Sequence, residues 1–248
     1  MAWRWVSASV IGTSHIHNGS RCQDAYAISE LSDGYIFAVV SDGAGTSKYG
    51  AFGAWITCRF LSVKFRKWLQ NNTELPSDED LVKWVDDLRR KLSVIATRRK
   101  TTPRQFAATL AAIVISPDEI VTLQIGDSGV VGRKNGQWEV LCWPENGEYA
   151  SSTYFVTDYP SPNLNISRHQ LKYDAFALFS DGLGDLALSH LEQSAYPRFF
   201  DPMLRPVDAA LGDGRLVDLS GKLAAYLASS SVCDRTDDDK TLILISGM

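Results

Sequence analysis

Cysteine is scarce and scattered in this 248-residue chain: Cys22, Cys58, Cys142 and Cys233 form no Cys-x-x-Cys pair. That excludes the common zinc-knuckle and dithiol spacings and reads as reduced thiols in a cytoplasmic protein. None of the four opens a Cys-x5-Arg phosphate loop, so cysteine-phosphatase chemistry has no foothold. Long apolar runs are missing too. The longest largely apolar stretch, 107–115, is too short to span a bilayer. The opening "MAWRWVSASV" has neither a long apolar core nor a small-residue cleavage site, and predicts no signal peptide. An excess of positive charge is also lacking: the net charge of -4 argues against a nucleic-acid binder. A local basic patch at 89–91 and 98–100 reads first as a solvated helix face and second as a surface for a partner. With no repeats, low-complexity tracts or linker, residues 1–248 are expected to form one domain.

What is present is a strand-rich beginning. Apolar alternation predicts strands over 3–11, 24–31 and 35–40. A helix is expected from Tyr49, with Ala54, Cys58, Leu61, Phe65 and Leu69 on one stripe. A second opens at "PSDEDL", where Ser77 can cap and acidic residues fill the first turn. Its stripe is Leu81, Trp84, Val85, Leu88, Leu92 and Ile95. Trp55 and Trp84 both fall on helical stripes and are expected in the core. Strands are then predicted over 106–115, 120–125, 130–133 and 138–142, with "KNGQ" as a two-residue hairpin turn. Residues 143–168 read as a long loop or flap with one short strand. Strands follow at 169–171 and 175–179, a helix around 217–229, and a last strand at 242–245. Strands, two helices, strands, helices, strand: the order defines an α+β fold of packed layers rather than alternating βαβ units.

Two of the strands end in nearly the same words, "SDGAG" at 41–45 and "SDGLG" at 180–184. Either copy alone is ordinary turn chemistry. Four aspartates, however, abut the ends of apolar strands: Asp42, Asp127, Asp181 and Asp238. In a shared sheet, those ends would gather four carboxylates. At roughly 6 Å and an effective dielectric of about 20, each pair repels by about 3 kcal/mol. Two divalent cations would balance them. An oxygen-only donor set suits Mg²⁺ or Mn²⁺ and disfavours zinc. Glycine after Asp42 and Asp181 lets backbone approach closely, so a carbonyl can join the ligands. Paired hard metals of this kind serve in-line displacement at phosphorus, with a bridging hydroxide as nucleophile.

The succession "CQDAY", "VVSDGAG", "FAATLAAIVI", "IGDSGVVGR", "LFSDGLGD" and "DDDKTLILI" resembles the PPM/PP2C-type metal-dependent protein serine/threonine phosphatases. The likeness runs from about residue 8 to 246. Each motif alone is weak; their order is specific. The resemblance implies a four-layer α-β-β-α sandwich, a central antiparallel β-sandwich flanked by helices, with two Mn²⁺ or Mg²⁺ ions at one end. Asp42 would bridge them, Gly43 would offer its carbonyl, and Asp181 and Asp238 would complete one. Asp127 with Asp181 would serve a third, looser ion, and Asp24 would hold metal-bound water. Asp42, Asp181 and Asp238 are thus the residues on which catalysis would turn. The implied substrates are phosphorylated proteins, with a serine/threonine kinase as counterpart; neither nucleic acid nor membrane is expected as a partner.

The chain departs from that pattern at Gln23, where the family usually carries glutamate, and at Ala44, where many members have histidine. The usual phosphate-binding arginine has its place at Gly19; the nearest candidate for that role is Arg21, two residues on and on the same face of an extended segment. These departures bear on rate and substrate more than on metal binding. The glycines of "GAGTSKYG" do not make a dinucleotide fingerprint, being Gly-x-Gly-x4-Gly. His15, His17 and Cys22 read as loop or surface residues rather than a zinc corner. Asp237 and Asp239 are expected to be solvated or to stand behind the ligands, with Asp239 the main rival to Asp238. Two other functional readings stay open at this stage: a phosphatase-like fold kept as a catalytically weak or inactive binding or regulatory module, or a phosphatase of a small phosphorylated metabolite.

Overall fold

The computed structural model describes residues 2–31, 34–146 and 153–247. In chain order, β1 (Trp3–Val10), a helical turn α1 (Thr13–His17), β2 (Ala25–Glu30) and β3 (Ile36–Ser41) precede the long helices α2 (Gly50–Leu69) and α3 (Asp78–Arg98). Then come β4 (Leu110–Ile115), β5 (Glu119–Ile125), β6 (Gly129–Lys134), β7 (Gln137–Cys142), β8 (Asn165–Gln170) and β9 (Ala175–Phe179). A short helix α4 (Gly184–Ala187) and the small pair β10 (Leu188–Ser189) and β11 (Ser194–Ala195) lead to α5 (Pro197–Asp208). The chain closes with β12 (Gly214–Arg215), α6 (Val217–Leu227), α7 (Ser230–Cys233) and β13 (Lys240–Gly247).

The long strands form two sheets, β12-β1-β13-β9-β6-β7 and β2-β3-β4-β5-β8. Their pairing is antiparallel except for β12 on β1. Alternation along each strand sorts side chains between two interfaces. On β3, Ile36, Ala38 and Val40 enter the core between the sheets, where they meet Phe176, Leu178, Ile243 and Ile245 of the other sheet. Phe37 and Val39 point the other way, into a core with Leu61, Phe65, Leu81 and Leu88 of α2 and α3. Leu242 and Leu244 face α5 and α6 through Phe200, Leu204 and Leu223. Being covered on both faces, these strands are apolar throughout instead of alternating. The result is the expected α-β-β-α layering.

Local signals explain most element ends. The Ser77 hydroxyl accepts the Asp80 N–H at 3.2 Å, and Asp78, Glu79 and Asp80 occupy the positive end of α3. Asn135 and Gly136 take φ of 52° and 76°, which the tight hairpin between β6 and β7 demands. Four differences from the sequence reading stand out. Phe106, the expected start of a strand, instead ends a 3-10 turn over 103–106, and β4 begins at Leu110. The eighth strand starts at Asn165, earlier than 169, because an edge strand paired only to β5 needs no apolar alternation. Residues 197–208 form α5 although Pro202 and Pro206 lie inside it; burial of Phe200, Leu204 and Val207 overrides the missing N–H donors. Trp55 is no core residue: one step around the helix from buried Ala54, it is 50% exposed, whereas Trp84 is 7% exposed as expected. Within the 143–168 segment, 147–152 lie outside the described residues; Asn146 and Thr153 form an isolated bridge across them. Among the described residues, no helix is long and apolar enough to cross a membrane.

Candidate metal centre

Strand register brings the aspartates together at one rim of the sandwich. Ala25 pairs with Ser41, so Asp24 and Asp42 are the next residues out on neighbouring strands. Phe179 pairs with Leu242 on one side and Gly129 on the other, which sets Asp181 between the loops carrying Asp238 and Asp127. Asp42, Gly43, Asp127, Asp181 and Asp238 line one cavity of about 480 Å³, together with Ser14, His15, Arg104 and Thr153 among others. Asp24 stands behind that wall: its Oδ2 accepts hydrogen bonds from Ser180 Oγ and Thr241 Oγ1, each at 2.7 Å.

The repeated Ser-Asp-Gly has a structural use for each letter. Both serines are fully buried. Ser41 Oγ donates to the Thr109 carbonyl at 2.6 Å, while Ser180 Oγ accepts the Thr241 N–H at 3.0 Å. Thr109 completes the support of the first copy: its Oγ1 accepts the Asp42 N–H at 2.9 Å, and its own N–H donates to the Asp42 carbonyl at 2.8 Å. The glycines permit close approach. A Cβ on residue 43 would lie 2.2 Å from the Gly50 carbonyl carbon, and one on residue 182 would lie 2.0 Å from the Asp239 carbonyl oxygen. The second contact lets the loop bearing Asp238 close onto Asp181.

Electrostatics register the crowding. Asp42 is held well above the ordinary carboxylate range by burial first, then by the charges of Asp24, Asp181, Asp238 and Asp127. Burial, followed by Asp127, Asp238 and Asp24, pushes Asp181 up to about 8. Burial chiefly, with the Asp239 charge adding, raises Asp24 to about 6 against the hydrogen bonds of Thr241 and Ser180. Asp127 is raised by burial, opposed by the hydroxyl hydrogen bond from Thr153. Among the described residues, two buried carboxylate oxygens, Asp24 Oδ1 and Asp127 Oδ1, have no hydrogen-bond partner. Bare, buried oxygen acceptors beside mutually repelling carboxylates fit hard divalent cations.

Three residues near the rim bear on the sequence reading, and the first, Asp239, takes the second of its two expected places, behind the candidate ligands. Asp239 is only 2% exposed, so it is not solvated. Its two oxygens accept the backbone N–H groups of Gly12 and Gln23, each at 2.6 Å, which fastens the 12–23 segment to the start of β13. Although burial opposes ionisation, those donors and His15 hold its carboxyl below the usual range. His15 is not a free surface residue: its Nδ1 lies 3.0 Å from Asp239 Oδ1. His15, Asp238 and Asp239 bring donor atoms within 4.8 Å of one another, a second donor group that shares Asp238 with the cavity. The third is the arginine. Arg21 is exposed and is not among the cavity-lining residues; Arg104 is. Arg104 sits on the 3-10 turn Pro103–Phe106, whose backbone is pinned by Ser47 Oγ donating to the Arg104 carbonyl at 2.9 Å. Its side chain is 69% exposed, with Asp158 Oδ1 at 3.4 Å from the guanidinium. Nothing in the local sequence marks Arg104, because only the folding of the turn against the loop after Asp42 brings it there.

A β-sandwich with a carboxylate-lined cleft at the junction of its sheets is the architecture of metal-dependent phosphoric-ester hydrolases. The chain belongs to the protein phosphatase 2C family, whose profile matches residues 11–228. It is 34% identical over 249 residues to serine/threonine-protein phosphatase 3 of Escherichia coli strain K12, covering 98% of both chains. Its fold is similar to that of the serine/threonine phosphatase Stp1 from Staphylococcus aureus, with a TM-score of 0.69 at 16% identity over 98% of this chain and 94% of that one. It is also similar to the catalytic domain of the serine/threonine protein phosphatase PstP, solved with two manganese ions, with a TM-score of 0.65 at 16% identity over 99% and 98% of the chains.

Proposed function

We propose that this enzyme hydrolyses phosphoserine and phosphothreonine in proteins, using two Mn²⁺ or Mg²⁺ ions held by Asp42, the Gly43 carbonyl, Asp181 and Asp238. Asp127 with Asp181 would take a third, looser ion. The observation that carries the reading is the convergence of four carboxylates on one cavity, with buried oxygens of Asp127 and of nearby Asp24 lacking partners among the described residues. Family membership and the named activity of the Escherichia coli relative support the substrate class. When bound, the ions would polarise phosphoryl oxygens and make water nucleophilic at neutral pH.

The chain's own residues position and discriminate. Ser41 and Thr109 fix the backbone at Asp42, and Ser180 and Thr241 orient Asp24 behind it. Asp239 secures the segment that delivers Gln23 and Asp24. Arg104 is the arginine available on the wall to meet a phosphate dianion, with the paired hydrogen bonds a guanidinium offers. Thiol chemistry is not part of the reading. Cys22 and Cys142 are pushed up to about 12 by burial, and Cys58 is raised further by burial, so all three stay protonated at neutral pH.

The test is turnover of p-nitrophenyl phosphate and of phosphoserine and phosphothreonine peptides with Mn²⁺ or Mg²⁺, with and without EDTA. Metal-dependent hydrolysis of the peptides is expected. Hydrolysis in ¹⁸O-water with rapid trapping should yield no phosphorylated enzyme, and a trapped phosphoenzyme would overturn direct attack by water.

A further inference from the structure

The face of α2 turned away from the sheets carries Trp55, Arg59, Val63 and Lys67, at intervals of four and therefore in one row. All four are exposed, the tryptophan by 50% and the valine by 39%. Apolar and cationic side chains alternate along about 18 Å of helix. Beside the row, Phe60 and Lys64 of α2 and Lys91 of α3 complete the walls of a shallow cavity of about 400 Å³.

This row is organised before any partner arrives. The Trp55 ring stacks on Phe52 at 5.6 Å between centroids, with planes 12° apart. The Arg59 guanidinium lies 5.7 Å from the Trp55 ring, and that of Arg99, just past the end of α3, lies 4.9 Å from Phe52, giving a ladder of arginine, phenylalanine, tryptophan and arginine. Lys91 lies 5.7 Å from the Phe60 ring. Among the described residues, Arg59, Lys67 and Lys91 form no ion pair. Between residues 50 and 100 the chain holds eleven Lys and Arg against six Asp and Glu, although its net charge is -4. The positive charge of an acidic protein is therefore gathered on this helical layer.

We propose that this face docks an acidic amphipathic helix of a partner protein, one that alternates carboxylates with aliphatic side chains at four-residue spacing. Trp55 and Val63 supply apolar anchors, and a half-exposed, pre-stacked tryptophan flanked by arginine has the makeup of an interface hot spot. Arg59, Lys67 and Lys91 supply the cations that carboxylates between those anchors would meet. The straight four-residue row favours a helix, whose own ridge can lie alongside it. A polyanionic backbone fits less well, because the apolar anchors interrupt the cations and Asp87 sits in their midst, 2.6 Å from Lys64. This surface is distinct from the carboxylate-lined cavity, and its residues are not among those lining it.

The test is fluorescence anisotropy of the full chain with a labelled 16-residue helical peptide carrying Leu and Glu in that alternation. Saturable binding is expected, with affinity falling at least tenfold in Trp55→Ala, Arg59→Glu and Lys67→Glu. Exchanging Glu for Lys in the peptide should abolish binding, and scrambling its order should weaken it as much as the protein substitutions do. Turnover of p-nitrophenyl phosphate should be unchanged in all three variants, which also reports that they fold. No saturable binding, equal binding by the scrambled peptide, or equal affinity in the variants would overturn the proposal. So would losses in the variants confined to a 20-base-pair DNA duplex or to phosphatidylglycerol vesicles run in parallel.

Discussion

The Ser180 hydroxyl donates to Asp24 Oδ2 across 2.7 Å, joining residues 156 apart in sequence and the two sheets of the sandwich at the rim of the cavity. Ser180 follows β9 in one sheet and Asp24 precedes β2 in the other. Ser180→Ala removes that donor while Thr241 still reaches the same oxygen. A loss of about 1–3 kcal/mol in stability is expected, the ordinary cost of stripping a buried carboxylate of a partner. Denaturant titration in Mn²⁺ checks it, and a midpoint equal to that of the native chain would mean the bond contributes nothing.

Asp42→Asn and Asp181→Asn should each lower kcat by about a hundredfold or more while leaving the fold intact, because each removes a carboxylate from the group that would hold the ions. Calorimetric titration with Mn²⁺ should show weakened binding in both. Asp127→Ala is expected to lose less affinity, since only the proposed looser ion would depend on it. Near-native turnover in either asparagine variant would place the centre elsewhere.

Arg104→Ala should raise KM for p-nitrophenyl phosphate and for phosphopeptides about tenfold, with a smaller fall in kcat, and Arg104→Lys should restore part of it. Arg21→Ala is the matched comparison. Arg104 is on the cavity wall and Arg21 is exposed outside it, so the larger effect should belong to Arg104. The reverse order would return the phosphate to Arg21.

Without metal, the carboxylate cluster makes stability depend on pH in a defined direction. Burial, with neighbouring charge, raises Asp24 to about 6 and Asp181 to about 8, and holds Asp42 well above its usual range. An unfolded aspartate titrates near pH 3.9. Over the interval between, the folded chain binds more protons than the unfolded one, so its stability falls as pH rises. The contribution is fully present below about pH 4 and is lost through pH 6 to 8. The melting temperature of the EDTA-treated protein should drop by about 5 °C or more between pH 5 and 9. Mn²⁺ should raise it more at pH 8 than at pH 5, because protons compete for the same oxygens. A flat or rising profile in EDTA would contradict the cluster's electrostatics.

Much of this molecule is written in local pattern. Apolar runs announced β3, β4 and β9 because those strands are covered on both faces, and Ser77 announced α3 because a cap acts within one turn. The clustering of Asp42, Asp127, Asp181 and Asp238 was legible in part: each follows or precedes a buried strand, but the strands belong to two sheets, and it is the packing of one sheet on the other, not a shared sheet, that brings their ends to one rim. Residues that act across the chain were not legible. Whether Asp239 is solvated or stands behind the ligands is decided by its bonds to the N–H groups of Gly12 and Gln23, which lie at the other end of the chain. Arg104 carries no local mark, and the spacing of His15 and His17 does not reveal the approach of His15 to Asp239, since both places depend on how loops fold over the rim. Trp55 differs from Ala54 by one step in sequence but by about 100° around the helix axis, and only packing against the sheet decides which side is inside. Sequence alone determined which strands are apolar throughout and which carboxylates stand at strand ends, because periodicity and strand ends are local properties. Tertiary structure alone decided which cation meets the cavity and which helix face stays open, because those depend on contacts between segments far apart in the chain.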